Sequence, residues 1–512
     1  MAVVNTQPQL LVFSDDWGRH PSSCQHLVRH LLPRYRVTWV NTIGMRSPSL
    51  SWDDLGKIYR RLRDWGQGTQ AMTLPANLQV ISPRMWPGFR TSWQRKFNAR
   101  SMTRAIESAL GHEGLSEVVA VTTLPIVADL VGRLPVRQWV YYCVDDFSVW
   151  PGIDGTVMDR MEWELVSRVD QLLAVSTTLQ KRLATMGRSA SLLTHGIDLE
   201  HWAAKSLPSL QTIASAHPSK PSQSLQPLQP LQPAQSTQPL QHTQPIPTTQ
   251  PSQPSITTPS LQPSPPVQKS PPVQPAQTDH LAPCFDDKNL PMWCRGLERP
   301  ILLFWGLIDP RLEIGWCQVL AREIGGTLIL AGPSQAPPSA LLQLAESHAN
   351  QNSFPGGSSP DISARQEDIG RKKPARVLMP GAVKYEDLPA LAHWADVLVM
   401  PYADLPVTRA MQPLKFKEYL AAGYPDAGKP VVARALPALE PWADAADLVT
   451  DEVTLVQRIK QRRREGLPPS QRQARLRLAE ETWAQKALQL EASWLQDLKL
   501  QSGMTEGENK GR

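Results

Sequence analysis

The stretch MPYADLPVTRAMQPLKFKEYLAAG at residues 400–423, followed at 428–432 by GKPVV, reads as a strand end, a polar loop and a helix opened by Pro413. Proline suits the first position of a helix, because the N–H it lacks has no partner there in any case. The free amides and positive end of such a helix attract an anion. Leu414 and Lys415 stand in its first turn, where the Lys415 ammonium adds charge against a phosphate group. Lys415 and Glu418 are three residues apart and share a face. A carboxylate on a rigid element offers two acceptor oxygens, the number that both hydroxyls of a ribose require. The spacing equally describes an amphipathic helix with a surface Lys–Glu pair.

The same alternation runs outward from this unit. In the second half, strand-like apolar runs at 301–305, 327–331, 377–379, 397–400 and 430–433 alternate with helical spacing near 313–324, 385–394 and 413–422. In the first half, runs rich in Val, Leu, Tyr and Trp fall at 10–14, 37–41, 117–122, 138–143, 171–176 and 191–194, with helical spacing at 158–169 and 178–186. Strand and helix in turn predict βαβ units and mainly parallel sheets. The expected fold is α/β, with two Rossmann-like doubly wound domains facing across a cleft. Ligands of such sheets collect beyond the carboxyl ends of the strands, so the cleft is the expected site.

Composition sets the limits of this organisation. With 512 residues, 41% hydrophobic and 20% charged, the chain is long enough for two or three domains with cores, which excludes disorder throughout. Its 49 prolines are too many for folded elements alone, and 18 of them lie between Pro218 and Pro283 beside only Lys220, Lys269 and Asp279 as charges. Repeated L-Q-P units favour extended polyproline-like conformers and cannot bury a core, so this region reads as a disordered interdomain tether. The expected layout is an N-terminal Rossmann-like domain at 1–204, a Pro/Gln/Ser linker at 205–298, a C-terminal Rossmann-like domain at 299–500 and a tail at 501–512. A second insertion at 335–373, rich in Ser, Pro, Gln and Gly, reads as a long surface loop. The five cysteines form no C-x-x-C pair, which argues against a zinc ribbon or a disulfide framework and for reduced thiols. No basic start with an apolar stretch and cleavage site opens the sequence, and no apolar run approaches the ~18 residues of a membrane span. The expected location is cytoplasmic, at the inner face of the plasma membrane if peripheral.

The segment PLKFKEYLAAG…GKPVV resembles the donor-binding signature of GT-B-fold glycosyltransferases, especially bacterial exopolysaccharide and cell-surface transferases of the group 1, family 4-like type. The resemblance extends to VYYCVDDFSVWPG at 140–152, ExxLVSRVDQLLAVSTTL at 162–179, LLTHGID at 192–198 and LFWGLIDPRLE at 303–313. It implies an acceptor held by the first domain, a nucleotide-sugar held mainly by the second, and transfer in the cleft. It places Glu418 on the ribose and Lys415 with Pro413 and Leu414 on the diphosphate. The pattern has another glutamate eight residues earlier, with seven residues between the two, where this chain has Ala410. Relatives also tend to carry a basic pair right after the glycine matching Gly306. Leu307 follows here, Glu313 stands near the second basic position, and Arg311 is the nearest replacement.

Such a transfer requires stabilisation of the departing diphosphate and, in an inverting reaction, a base for the acceptor hydroxyl. No D-x-D triplet occurs in the chain, so no metal and no cofactor are expected, and Lys415 with the helix amides takes the phosphate charge. Asp145 and Asp146 end the strand-like run WVYYCV, facing the cleft; burial beside each other would raise a pKa toward that of a base. The alternative is one aspartate capping a turn and one solvated. Asp15 and Asp16 end the first run in the same way. Gly18, Arg19, His20 and Ser22 in the following loop are candidate acceptor contacts, against the reading of a plain capped loop. His195, in the turn THGID, is read as structural.

Charge is local. The chain carries a formal +6, yet residues 57–104 alone hold ten basic side chains and one acid, Asp64, interleaved with Trp65, Trp86, Trp93 and Phe97. Cations among aromatic rings suit an anionic membrane surface, and equally a solvated face or an acceptor-diphosphate pocket. No finger, helix-turn-helix or RNP-like pattern accompanies them, so no nucleic acid partner is expected. The functional expectation is transfer of a sugar from a nucleotide-diphosphate donor to a glycan or polyprenyl-linked acceptor in surface polysaccharide synthesis. A nucleotide-sugar epimerase and a non-catalytic nucleotide-sugar-binding scaffold of the same fold are the alternatives.

Overall fold

Val, Leu, Phe and Trp dominate the strands of the first sheet, and five runs in it are buried along nearly their whole length, as a sheet covered on both faces demands. The computed structural model describes residues 8–18, 22–42, 74–203, 290–350 and 375–508. Seven parallel strands form this sheet: β1 Gln9–Ser14, β2 Arg36–Asn41, β3 Leu78–Ile81, β4 Val118–Thr122, β5 Gln138–Cys143, β6 Gln171–Ala174 and β7 Ser191–Leu192. Their order is β3-β2-β1-β4-β5-β6-β7. A second parallel sheet holds β8 Ile301–Trp305, β9 Thr327–Ala331, β10 Arg376–Gly381, β11 Val397–Met400, β12 Val431–Arg434 and β13 Asp447–Val449. Its order is β10-β9-β8-β11-β12-β13. Each sheet reverses direction beside its own first strand, and at that switch point the loops after the strands part to leave a crevice. The expected α/β architecture of two doubly wound units is present.

Three differences from the expected layout have physical causes. The helix Trp483–Glu508 belongs to the second half by chain order, but its buried Trp483, Ala487, Leu490 and Trp494 complete the apolar core of the first sheet. Arg34 and Tyr35 hold its Glu491 at 2.7 and 2.8 Å. The first core lacks a layer that only this returning helix supplies. Conversely, Ile197 and Trp202 from the end of the first half, and Leu290 and Cys294 from the end of the expected linker, are buried in the core of the second sheet. Part of the insertion read as a loop, Ser339–Asn350, is a helix with Leu341 buried. The proline-rich segment 204–289 and the remainder of that insertion, 351–374, lie outside the described residues.

Candidate active site

A cleft of about 400 Å³ opens between the two sheets, and its walls are the loops that follow β1, β4, β5, β8 and β11. Ser14, Thr123 and Asp145 line it from the first sheet; Gly306, Arg311, Tyr402 and the segment Met411–Lys415 line it from the second.

Asp145 and Asp146 part company at the end of β5. Asp145 borders the cleft, and burial pushes its carboxyl up to about 7; the Arg311 guanidinium opposes that rise and Asp146 adds to it. Asp146 turns away: its Oδ1 accepts the Ser148 amide at 3.0 Å and the Ser148 hydroxyl, and Arg182 lies 3.6 Å off. It caps the turn, as the second reading of the pair allowed for one of the two. Arg311 is held in place from three sides. Asp309 takes it at 2.8 Å, Met411 Sδ accepts from Nη1 at 3.5 Å, and Trp150 of the first sheet's loop lies under the guanidinium at 5.2 Å from its ring centroid. Such stacking suits the planar cation and fixes where its charge points.

Pro413 caps the helix Leu414–Ala421, and Leu414 and Lys415 of its first turn reach the cleft. Glu418 does not border the cleft: it is 6% exposed, with Oε1 accepting from Lys415 Nζ at 3.2 Å and Oε2 from the Trp305 indole N–H at 3.0 Å. Trp305 is itself stacked on Trp202 at 5.3 Å. The motif reading anticipated the Lys–Glu face but not Trp305, since nothing in a local spacing brings the end of β8 to this helix.

The loop after β1 is built around Asp15. Ser22 donates to its Oδ1 at 2.7 Å, Ser14 to the same oxygen at 2.9 Å and Gln25 to Oδ2 at 2.8 Å, while burial raises its pKa against these bonds. Ser22 also caps the helix Ser23–Leu31, and Gly18 donates its amide to Gln25 at 3.0 Å. Ser22 lines the cleft and Gly18 does not; Arg19 and His20 lie outside the described residues.

Where His195 and Gln412 line the cleft, three segments lock together. Gln412 accepts the His195 amide at 2.6 Å, and buried Lys417 donates to the His195 carbonyl and to Glu481. Burial, then Lys417, lowers the His195 pKa to about 3, so the ring is neutral; its Nδ1 has no partner among the described residues. His195 is also one of the residues lining the cleft. Gln412, Lys417 and Trp150 escaped sequence reasoning because each acts across the two halves. Among the described residues, no three His, Cys, Asp or Glu side chains gather where a metal ion would be held.

Two parallel sheets of this strand order, facing across a cleft walled by the carboxyl ends of their strands, make up the GT-B fold of glycosyltransferases. Solved structures bear this out. Sucrose-phosphate synthase from Thermosynechococcus elongatus matches over 96% of this chain and 100% of its own, at 14% identity and a TM-score of 0.56. The α,α-trehalose 6-phosphate synthase of Burkholderia multivorans matches over 97% and 100%, at 12% identity and 0.53. The E. coli trehalose-6-phosphate protein bound with UDP-2-fluoro glucose matches over 94% and 98%, at 12% identity and 0.51. Identities this low establish a shared fold. No protein-family model matches the sequence, and no curated protein does.

Proposed function

We propose that the protein transfers a sugar from a nucleotide-diphosphate donor to a hydroxyl of a glycan or lipid-linked glycan, in surface polysaccharide synthesis. The observation that carries this reading is the convergence, in one cleft, of a carboxylate with raised proton affinity and two cations. The bond from the anomeric carbon to the phosphate oxygen breaks, the bond to the acceptor oxygen forms, and the acceptor proton passes to Asp145. Lys415, the amides opening its helix and Arg311 take up the charge of the departing diphosphate. As the phosphate draws Lys415 off, Oε1 of Glu418 is released to accept from the ribose. Gly306 lets the donor come close to the backbone after β8, and Ser22, which lines the cleft, contacts the acceptor. No metal takes part, so a chelator leaves turnover unchanged.

The likeness in fold to structures whose names include sucrose- and trehalose-phosphate synthases supports this chemistry. The test is the pH dependence of turnover in Asp145→Asn. The wild type gains rate as pH rises through about 7, where the Asp145 carboxylate forms. The variant loses about 10²–10⁴-fold in turnover and that pH dependence, while donor affinity holds. Equal turnover in the variant would remove Asp145 from the mechanism.

A second reading, a scaffold that binds nucleotide sugar without turnover, is favoured by one observation: both oxygens of Glu418 are engaged, one by the buried Trp305. Donor binding without nucleotide release, whatever the acceptor, is its signature.

A further inference from the structure

The helix Ser92–Leu110 packs on the first sheet through Asn98, Ala99, Met102 and Ile106. At 3.6 residues per turn, Trp93, Lys96, Phe97, Arg100 and Arg104 fall within about 100° of arc on the opposite side. Trp93 is 53% exposed, Phe97 48% and Trp86 45%, and Trp86 meets Trp93 edge-on at 5.0 Å between ring centroids. The basic residues of this region serve two ends. Arg95 is committed to Asp129 and Glu164, and Arg90 to Asp154 at 2.7 Å. Arg84, Lys96, Arg100 and Arg104 are exposed, and none of them forms an ion pair among the described residues. The single carboxylate on the arc, Glu107, lies at its far end and faces His112 at 3.0 Å.

We propose that this face docks on an anionic lipid bilayer, with the rings of Trp86, Trp93 and Phe97 at headgroup level and the four cations against lipid phosphates. Charge complementarity selects the occupant: unpaired cations flanking exposed amphipathic rings match an anionic surface with an apolar interior. Nucleic acid attracts the charges but leaves three rings in water without a splayed base to stack on. Among the described residues no helix is long and apolar enough to cross a membrane. The helix begins beside the segment 147–154, in which Asp154 holds Arg90, Trp150 stacks on Arg311 and Phe147 lines the cleft. Docking therefore presents the cleft mouth to the bilayer. This purpose rests on the lipid-linked acceptor of the proposed function; the docking itself is read without turnover.

Co-sedimentation of the full chain with vesicles, of pure phosphatidylcholine or with added phosphatidylglycerol, tests it. The wild type pellets with the anionic vesicles only, and their addition shifts its tryptophan fluorescence to the blue. Lys96→Gln/Arg100→Gln lowers the affinity about 25-fold, fivefold for each cation. Trp93→Ser/Phe97→Ser loses binding at raised salt. All four positions are exposed, so unchanged thermal midpoints accompany both losses, and nucleotide release with a soluble acceptor stays at the wild-type rate. The proposal is overturned if both variants pellet like the wild type, if phosphatidylcholine alone suffices, or if the wild type binds single-stranded RNA and no vesicles. None of these outcomes touches the transferase reading.

Discussion

Asp145 pays for its cleft position in folding free energy. Burial raises its carboxyl from the ordinary 3.8 to about 7. Between those values the folded chain keeps a proton that the unfolded chain has released, so its contribution to stability falls as pH rises through that window. Asp145→Asn removes the term. The variant unfolds at higher urea than the wild type at pH 8, by on the order of 2 kcal/mol after allowance for solvent screening, and the gap closes toward pH 4. Urea titrations at the two pH values check it. Gain of stability with loss of turnover marks a residue held for chemistry. His26 works in the other direction. Burial, then Arg29, lowers its pKa to about 4, so the folded chain refuses a proton that the unfolded chain takes at 6.5. Stability is lost as pH falls below 6.5, by up to about 2 kcal/mol at pH 5. His26→Leu removes that share of the loss and leaves the share of the similarly buried His195, a difference which thermal melts at pH 7 and 5 measure.

At the scale of elements, the junction around His195 depends on a glycine. Strand pairing of Ile197 with Thr482 lays Gly196 against Trp483, and a Cβ there would stand 2.7 Å from the indole ring and 2.8 Å from the Trp483 Cα. The backbone atom cannot step aside as a side-chain tip would, so Gly196→Ala costs about 1–3 kcal/mol. Trp483 packs between His26, stacked at 4.7 Å, and His195 at 6.3 Å, and Trp483→Ala costs about 3–5 kcal/mol. Both show as lowered midpoints in calorimetry. The sequence displayed THGID as a motif without displaying this reason for it. Central strands such as 138–143 and 301–305 were legible because burial on both faces enforces unbroken apolar runs. The strands Leu78–Ile81 and Asp447–Val449 were not: each is the edge strand of its sheet, less fully buried, and Gln79 and Asp447 break the apolar run that a central strand shows. The helix Ser92–Leu110 was read for its charge alone, since only Asn98, Ala99, Met102 and Ile106 face inward.

For the whole molecule, the cleft is what two sheets make together. Asp145 of one and Arg311 and Lys415 of the other were each legible as residues at strand or helix ends. Their alignment across the cleft, the stacking of Trp150 on Arg311 and the Trp305–Glu418 bond come from tertiary packing, which no local spacing encodes. That bond also sets the central question, because a cleft that binds nucleotide sugar must draw Glu418 toward the ligand before it can hold a ribose. Glu418→Gln weakens donor binding by about tenfold and, because its one acceptor oxygen cannot serve both Trp305 and Lys415, lowers stability by about 1–3 kcal/mol, as calorimetric titration and melting would register. Glycosyl transfer is measured by incubating the protein with a panel of nucleotide sugars, with and without a membrane extract as the source of acceptor, and following nucleotide diphosphate release. The expected result is release from at least one donor that rises when acceptor is added. Binding without release across the panel, or interconversion of the sugar independent of acceptor, would contradict it.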